Sequence, residues 1–493
     1  MMGKNLLRYA AILVFFVAGT VSIIEIGSSL HSDQAVSEEV KPSSSPASNT
    51  LPEKAEVSTS GGIGRELRNN LRHPVSVLLL QVIIVLTAAR GVGALLQKAG
   101  QPTVIGEMIA GILLGPSLLG WLSHPTMTFL FPPHSMDSLR LVSQIGVIIF
   151  MFVVGTEVNV QHIYHKAHTA ILVSHASILA PFFLGATLAL IIFRYEAPAH
   201  ISFTSLALFI SVAMSITAFP VLARIIEERG LSQSYLGNTA IACAAVDDVT
   251  AWCLLAVVIA IVKSSGFDSA VLTIFLTLLF IGLMLFVLKR QVNRMVSAFL
   301  EAETQRRGLI AIILIFGLAS ALLTEIIGIH GLFGAFLAGV IIPSNAGLRK
   351  FLTERLEILT SCFLLPLFFA FTGLRTQIGL LNTWPDWLMC AGVITVAVAG
   401  KFGGSALAAR WTGMNWRDSL SLGALMNARG LIELIVLNIG YDLGVLSPRI
   451  FSMMVIMALI TTFMTVPLLS LLEFSRRRGV SIRAEMPGST NVY

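Results

Sequence analysis

The chain has 493 residues, of which 55% are hydrophobic and only 12% charged, and its mean hydropathy is +0.83. That balance excludes a set of soluble domains and indicates an all-α polytopic membrane protein, with the lipid bilayer as its solvent. The formal net charge of +6 does not point to nucleic acid, because no such motif is present and much of the Lys and Arg lies in short connections between apolar runs, where it sets orientation.

Residues 1–31 open with Lys4 and Arg8 and continue as an apolar run, which fits either a transmembrane helix or a signal segment. Residues 32–73 turn to Ser, Pro, Glu and Lys, a composition with too little apolar surface to fold alone, and read as a disordered linker. Thirteen apolar segments follow within 74–475, at about 74–97, 102–121, 138–156, 168–193, 201–223, 236–262, 270–288, 308–327, 331–343, 351–374, 386–409, 418–439 and 449–473. Alternating their connections gathers Lys98, Lys166, Arg224, Arg229, the cluster Lys289 to Arg307, Arg349, Lys350, Arg355, Arg410, Arg417 and the tail 476–493 on one side, which is expected to be cytoplasmic. The other side holds chiefly Arg194, Lys263 and Arg449, so the linker is expected outside the plasma (inner) membrane. The four cysteines, Cys243, Cys253, Cys362 and Cys390, lie in apolar segments at no metal-like spacing and read as small packing residues.

An internal repeat is visible. Gly106 to Pro116 (GEMIAGILLGP) matches Gly334 to Pro343 (GAFLAGVIIP), and Phe152 to Glu157 (FVVGTE) matches Ala370 to Arg375 (AFTGLR), aligning Gly155 with Gly373 and Glu157 with Arg375. The paired segments lie seven apart, an odd offset, so corresponding helices run in opposite directions. This predicts an inverted-topology repeat of segments 1–6 against 8–13 with segment 7 as the joint, an architecture that places a binding site at the repeat interface near the midplane.

The repeat also predicts where helices break. In segment 5, Ser215 to Arg224 (SITAFPVLAR), Pro220 removes a backbone donor and clashes with the carbonyl of Ile216, leaving carbonyls and the hydroxyls of Ser215 and Thr217 to face a cavity; a simple kink satisfied by neighbouring helices is the alternative. Its partner segment 12 carries Met426 to Leu434 (MNARGLIEL), with Gly430 as the break and Arg429 and Glu433 four apart on one face, suited to a structural or gating ion pair. Segment 6 holds adjacent carboxylates, Asp247 and Asp248, with about ten apolar-dominated residues on either side, and an ionisable residue at that depth is a functional candidate by default. Lys401 of segment 11 lies deep among glycines; buried in lipid it would lose its proton or find a carboxylate, and Asp247 and Asp248 are the uncommitted ones. Glu107, Glu157, Glu325 and Arg375 also lie within or near apolar runs as weaker candidates.

Taken together, QPTVIGEMIAGILLGPSLLG, SITAFPVLARII, AAVDDVTAW, GLFGAFLAGVIIP, the lysine of GKFGG and ARGLIEL resemble the second branch of the monovalent cation:proton antiporters, over about residues 74–475. The resemblance implies a homodimer, each protomer divided into a dimerisation part (about 74–156 and 308–374) and a core part (about 168–262 and 386–473) in which two broken helices cross. It implies that Asp248 binds the monovalent cation and carries protons, that Asp247 pairs with Lys401, and that Thr217 lies at the unwound crossing. No nucleotide-binding regulatory domain is expected after the last segment, and no cofactor is expected.

The coupling can be argued from chemistry. A carboxylate in a low-dielectric site can hold a proton or a cation near neutral pH but not both, so competition for one site links two fluxes. Neighbouring helix residues point about 100° apart, so Asp247 and Asp248 can serve different partners. Adjacent placement argues against an intramembrane aspartyl protease, whose shared-proton dyad needs carboxylates that face each other, and no filter sequence of a channel is present. Exchange of Na+ or K+ for protons is the expectation, with a K+ efflux system or a non-transporting sensor of the same fold as alternatives.

Overall fold

A computed structural model of the chain describes residues 2–32, 70, 73–157, 167–196, 201–231, 234–263, 267–301, 306–343, 352, 354–356 and 358–484. The linker expected at 32–73 lies, apart from its ends, outside the described residues, as does the end of the tail. Among the described residues there are helices and turns and no β-strand. The helices are α1 (Met2–Ser32), α2 (Pro74–Lys98), α3 (Thr103–Leu114), α4 (Pro133–Glu157), α5 (Ala167–Glu196), α6 (Phe203–Ser215), α7 (Phe219–Glu228), α8 (Tyr235–Lys263), α9 (Phe267–Gly282), α10 (Arg306–Ile327), α11 (Gly331–Val340), α12 (Leu365–Arg375), α13 (Trp384–Val398), α14 (Trp416–Met426), α15 (Leu431–Asp442) and α16 (Pro448–Ala484).

Ten described helices are long and apolar enough to cross a membrane, or eleven when α14 and α15, bent by 43° at their junction, count as one span. The thirteen expected segments do not all qualify: segment 5 is divided into α6 and α7, and α11 is only 10 residues long. The helix starts follow local chemistry. Ser202 accepts from Ser205 N–H at the start of α6, Asn415 caps α14 through Asp418 N–H, and Thr383 with Asp386 forms a reciprocal capping box at α13.

Small residues decide the packing. In lipid there is little hydrophobic drive between helices, so close backbone approach has to supply the contact energy. A Cβ added to Gly373 of α12 would stand 2.8 Å from Gly111 Cα of α3, and one added to Gly339 of α11 would stand 2.9 Å from Gly155 Cα of α4. Because Gly111 and Gly339 are repeat equivalents, and so are Gly155 and Gly373, these are one contact made twice with the halves exchanged. Helices α2, α3, α4, α10, α11 and α12 pack among themselves, as do α5 to α8 with α13 to α16. α9 lies between the groups, against α8 and α10.

Candidate ion-binding site

The two broken helices meet at their breaks. α6 ends at Ser215, the chain runs extended at Ile216, and α7 begins at Phe219; α14 ends at Met426 and α15 begins after Gly430. The Ala218 N–H donates to Ala428 O at 3.1 Å, and Thr217 Oγ1 lies 3.4 Å from Met426 O, tying one break to the other. The first break falls at 216–218, just before Pro220, which occupies the first turn of α7, where a missing N–H leaves no bond unmade. The second break ends at Gly430, as the sequence predicts, in extended backbone (φ 170°).

The interruption exposes carbonyls that charged side chains complete. Arg429, fully buried, donates from Nη1 to Ala213 O (3.1 Å) and from Nη2 to Met214 O (2.9 Å), and pairs through Nη1 with Glu433 Oε1 at 3.0 Å. Thr462 of α16 holds the backbone of Arg429 from both sides, accepting from its N–H (3.1 Å) and donating to its O (2.8 Å). Lys401 takes the next carbonyl, Ser215 O, together with Ser177 O at 3.0 Å and Asp247 Oδ2 at 2.9 Å. Three ammonium protons thus have three strong acceptors. Two cations at the C-terminal end of α6 also complement its helix dipole.

Lys401 reaches this point because of its neighbours. It sits on a wide π turn, Ala399–Gly403, which interrupts the long helix begun by α13. Gly400 lies against Pro181 of α5, where a Cβ would come within 2.7 Å of Pro181 Cα, and Gly404 meets Ala180. The missing side chains let α5 approach, and the lysine extends past it toward α8.

The two carboxylates stand in opposite conditions. Asp247, with no exposed surface, accepts from Ser174 Oγ (2.5 Å) on Oδ1 and from Ser177 Oγ (2.7 Å), Thr217 Oγ1 (2.7 Å) and Lys401 Nζ on Oδ2. Each of these four partners can donate to it. Asp248, 2% exposed, faces the backbone N–H of Phe219 at the start of α7, while its Oδ1 is buried without a hydrogen-bond partner. Such an atom is costly to leave unsatisfied. One turn further along α8, on the same face, Trp252 stacks on Phe336 of α11, with ring centroids 6.2 Å apart. Asp248 is therefore turned toward the face of α8 that meets the other group of helices.

The remaining candidates divide clearly. Thr217 joins Asp247, but the Ser215 hydroxyl donates to Ser211 O (2.7 Å) and Ile178 O (3.0 Å), so only its carbonyl belongs to the cluster. Arg375 lies in a separate group, bonded to Asn438 Oδ1 at 2.9 Å and to Asp442, which Arg140 approaches at 3.6 Å. Glu325 accepts from Gly331 N–H at 2.8 Å, Glu107 is buried on α3, and the Glu157 side chain lies outside the described residues. Ser174 and Ser177 escaped sequence reasoning. Their three-residue spacing in LVSHASIL, two hydroxyls on one face of an apolar helix, was the available signal. Among the described residues no three His, Cys, Asp or Glu side chains gather as a metal site.

Residues 66–471 match the family model described as sodium/hydrogen exchanger, transmembrane. The chain is 44% identical over 393 residues to the Na(+)/H(+) antiporter NhaS4 of Synechocystis sp., covering 80% of this chain and 96% of that protein. It is 39% identical to cation/H(+) antiporter 17 of Arabidopsis thaliana, over 83% of this chain and 50% of that one, and 34% identical to K(+)/H(+) antiporter 1 of Saccharomyces cerevisiae, over 86% and 50%. The chain thus spans about half the length of these plant and yeast relatives. Among solved structures, the sodium proton antiporter MjNhaP1 from Methanocaldococcus jannaschii shares the fold, with a TM-score of 0.59 over 82% of this chain and 98% of that one at 13% identity. With these matches and its membrane helices, the chain belongs to the sodium/hydrogen exchanger family, whose members are membrane antiporters and not enzymes.

Proposed function

We propose that the protein exchanges a monovalent cation for protons by alternating access, with cation and proton competing for Asp248. The observation that carries this reading is the contrast within one dipeptide: Asp247 is saturated by four donors, whereas buried Asp248 keeps an unpartnered oxygen beside the start of a half-helix. The first carboxylate is committed to Lys401 and the second is free to exchange its ligand. In this reading α5 to α8 and α13 to α16 form the moving core, α2 to α4 and α10 to α12 form the dimerisation part, and the C-terminus lies on the cytoplasmic side of the plasma membrane. Relatives named for Na+ and for K+ leave both ions as cargo, since cavity size and ligand number select between them.

The test is dissipation of a preset pH gradient in everted vesicles, scanned across Na+, K+ and Li+, with Asp248→Asn as the control. Flux that persists undiminished in Asp248→Asn removes the assignment. If cation binding at Asp248 also loosens the Asp247–Lys401 pair and releases a proton from Lys401, two protons move per cation and exchange is electrogenic. Exchange independent of membrane potential in proteoliposomes would exclude that stoichiometry.

A further inference from the structure

α1 lies wholly before residue 66, where the family match begins, yet it is built into the molecule. It packs on α5 and α6. Leu13, Phe16, Thr20, Ile23 and Gly27 turn inward at helical spacing, while Val14, Phe15, Val17, Val21 and Ile26 are 47–64% exposed on the other faces. Two glycines shape the contact: Gly19 gives room to the Phe183 ring of α5 and Gly27 to the Phe203 ring of α6. The Phe16 ring meets Phe183 with centroids 5.6 Å apart. The uncharged run between Arg8 and Glu25, residues 9–24, is longer than the apolar region of about 7–15 residues in a signal peptide, and a signal peptide has no reason to carry notches for particular rings.

We propose that α1 is a resident transmembrane helix docked on α5 and α6, and that it travels with them, α5 carrying Ser174 and Ser177 and α6 the broken end at Ser215. The travel rests on the alternating-access reading above; the docking does not. Some 40 residues separate Ser32 from Pro74 in the sequence, a number that limits their span to on the order of 130–140 Å.

The experiment uses the full chain with a protease site placed between residues 33 and 73, Cys253 and Cys362 changed to serine, and Gly19→Cys paired with Phe183→Cys. The purified protein is expected to keep residues 2–32 by intact mass. After cleavage the N-terminal fragment is expected to remain attached without reductant and to separate with it. Cation-driven proton flux of the cross-linked protein is expected to stay within about twofold of its reduced form. A mature protein that starts after Ser32, or a retained fragment that forms no cross-link, overturns the docking. A loss of more than about tenfold on cross-linking, reversed by reductant, overturns the travel. If the unmodified chain shows no flux, the antiport reading fails and the travel with it, while mass and cross-link still decide the docking.

Discussion

The crossing holds two fully buried ion pairs that differ in construction. Arg429 and Glu433 are four residues apart on one stretch of chain, and the guanidinium is further clamped by two carbonyls of α6. Lys401 and Asp247 are 154 residues apart, brought together from different helices, beside a carboxylate with an unpartnered oxygen. A guanidinium does not give up its proton under protein conditions, whereas an ammonium can. The first pair is thus suited to hold the crossing in shape and the second to change state.

The largest expected effect comes from breaking the fixed pair. Arg429→Ala leaves Glu433 and two helix carbonyls uncompensated and should cost about 3–5 kcal/mol, read as loss of folded protein on heating in detergent. Arg429→Lys should recover little of this, because an ammonium cannot span Ala213 O, Met214 O and Glu433 in the fork geometry of arginine. Next comes Asp248. Asp248→Asn should lower flux at least ~100-fold, about 2.7 kcal/mol in rate terms, without loss of thermal stability, because it keeps the side-chain volume and removes a buried carboxyl group that no cation of the chain pairs with directly. Equal destabilisation of Asp248→Asn and Arg429→Ala would erase the distinction between the fixed pair and the carboxylate that stands outside both pairs.

A double-mutant cycle sharpens the comparison further. Asp247→Asn and Lys401→Gln should each destabilise more than the two together, with a coupling of about 1–3 kcal/mol read in melting curves. A coupling near zero would show that Lys401 is held by the Ser177 and Ser215 carbonyls alone. The smallest effect is expected from Ser174→Ala, which removes one of four donors to Asp247 and should cost about 1–1.5 kcal/mol, read in a melting curve. The same change at Ser177 should cost a similar amount, since its carbonyl contact to Lys401 survives.

Much of this was legible from composition and spacing. The apolar segments could be bounded to within a few residues because a membrane crossing needs a long apolar run, although α4 starts at Pro133, ahead of the expected 138, where the chain is still polar. The glycine repeat was readable because only small residues permit the backbone approach that Gly111 makes with Gly373 and Gly155 with Gly339. The site was legible by its cost: carboxylates and a lysine stand out in apolar sequence. Pro220 marked the interruption of segment 5 but not its exact residues, because proline is a local signal and where α6 stops depends on the helices around it.

By itself the sequence determined that the chain spans a membrane, that it contains an internal repeat, and that Asp247, Asp248 and Lys401 fall within apolar segments, since hydropathy and residue type are local properties. Only the tertiary structure decided that Asp247 takes Lys401 and that Asp248 is left with a free oxygen. It alone showed that the Ser215 hydroxyl turns away while the Ser215 carbonyl joins the site, and that α1 seats on α5 and α6. Hydrogen-bond partners 30 to 186 residues apart are chosen by how helices cross, and neighbouring positions on a helix differ by a rotation that no composition records.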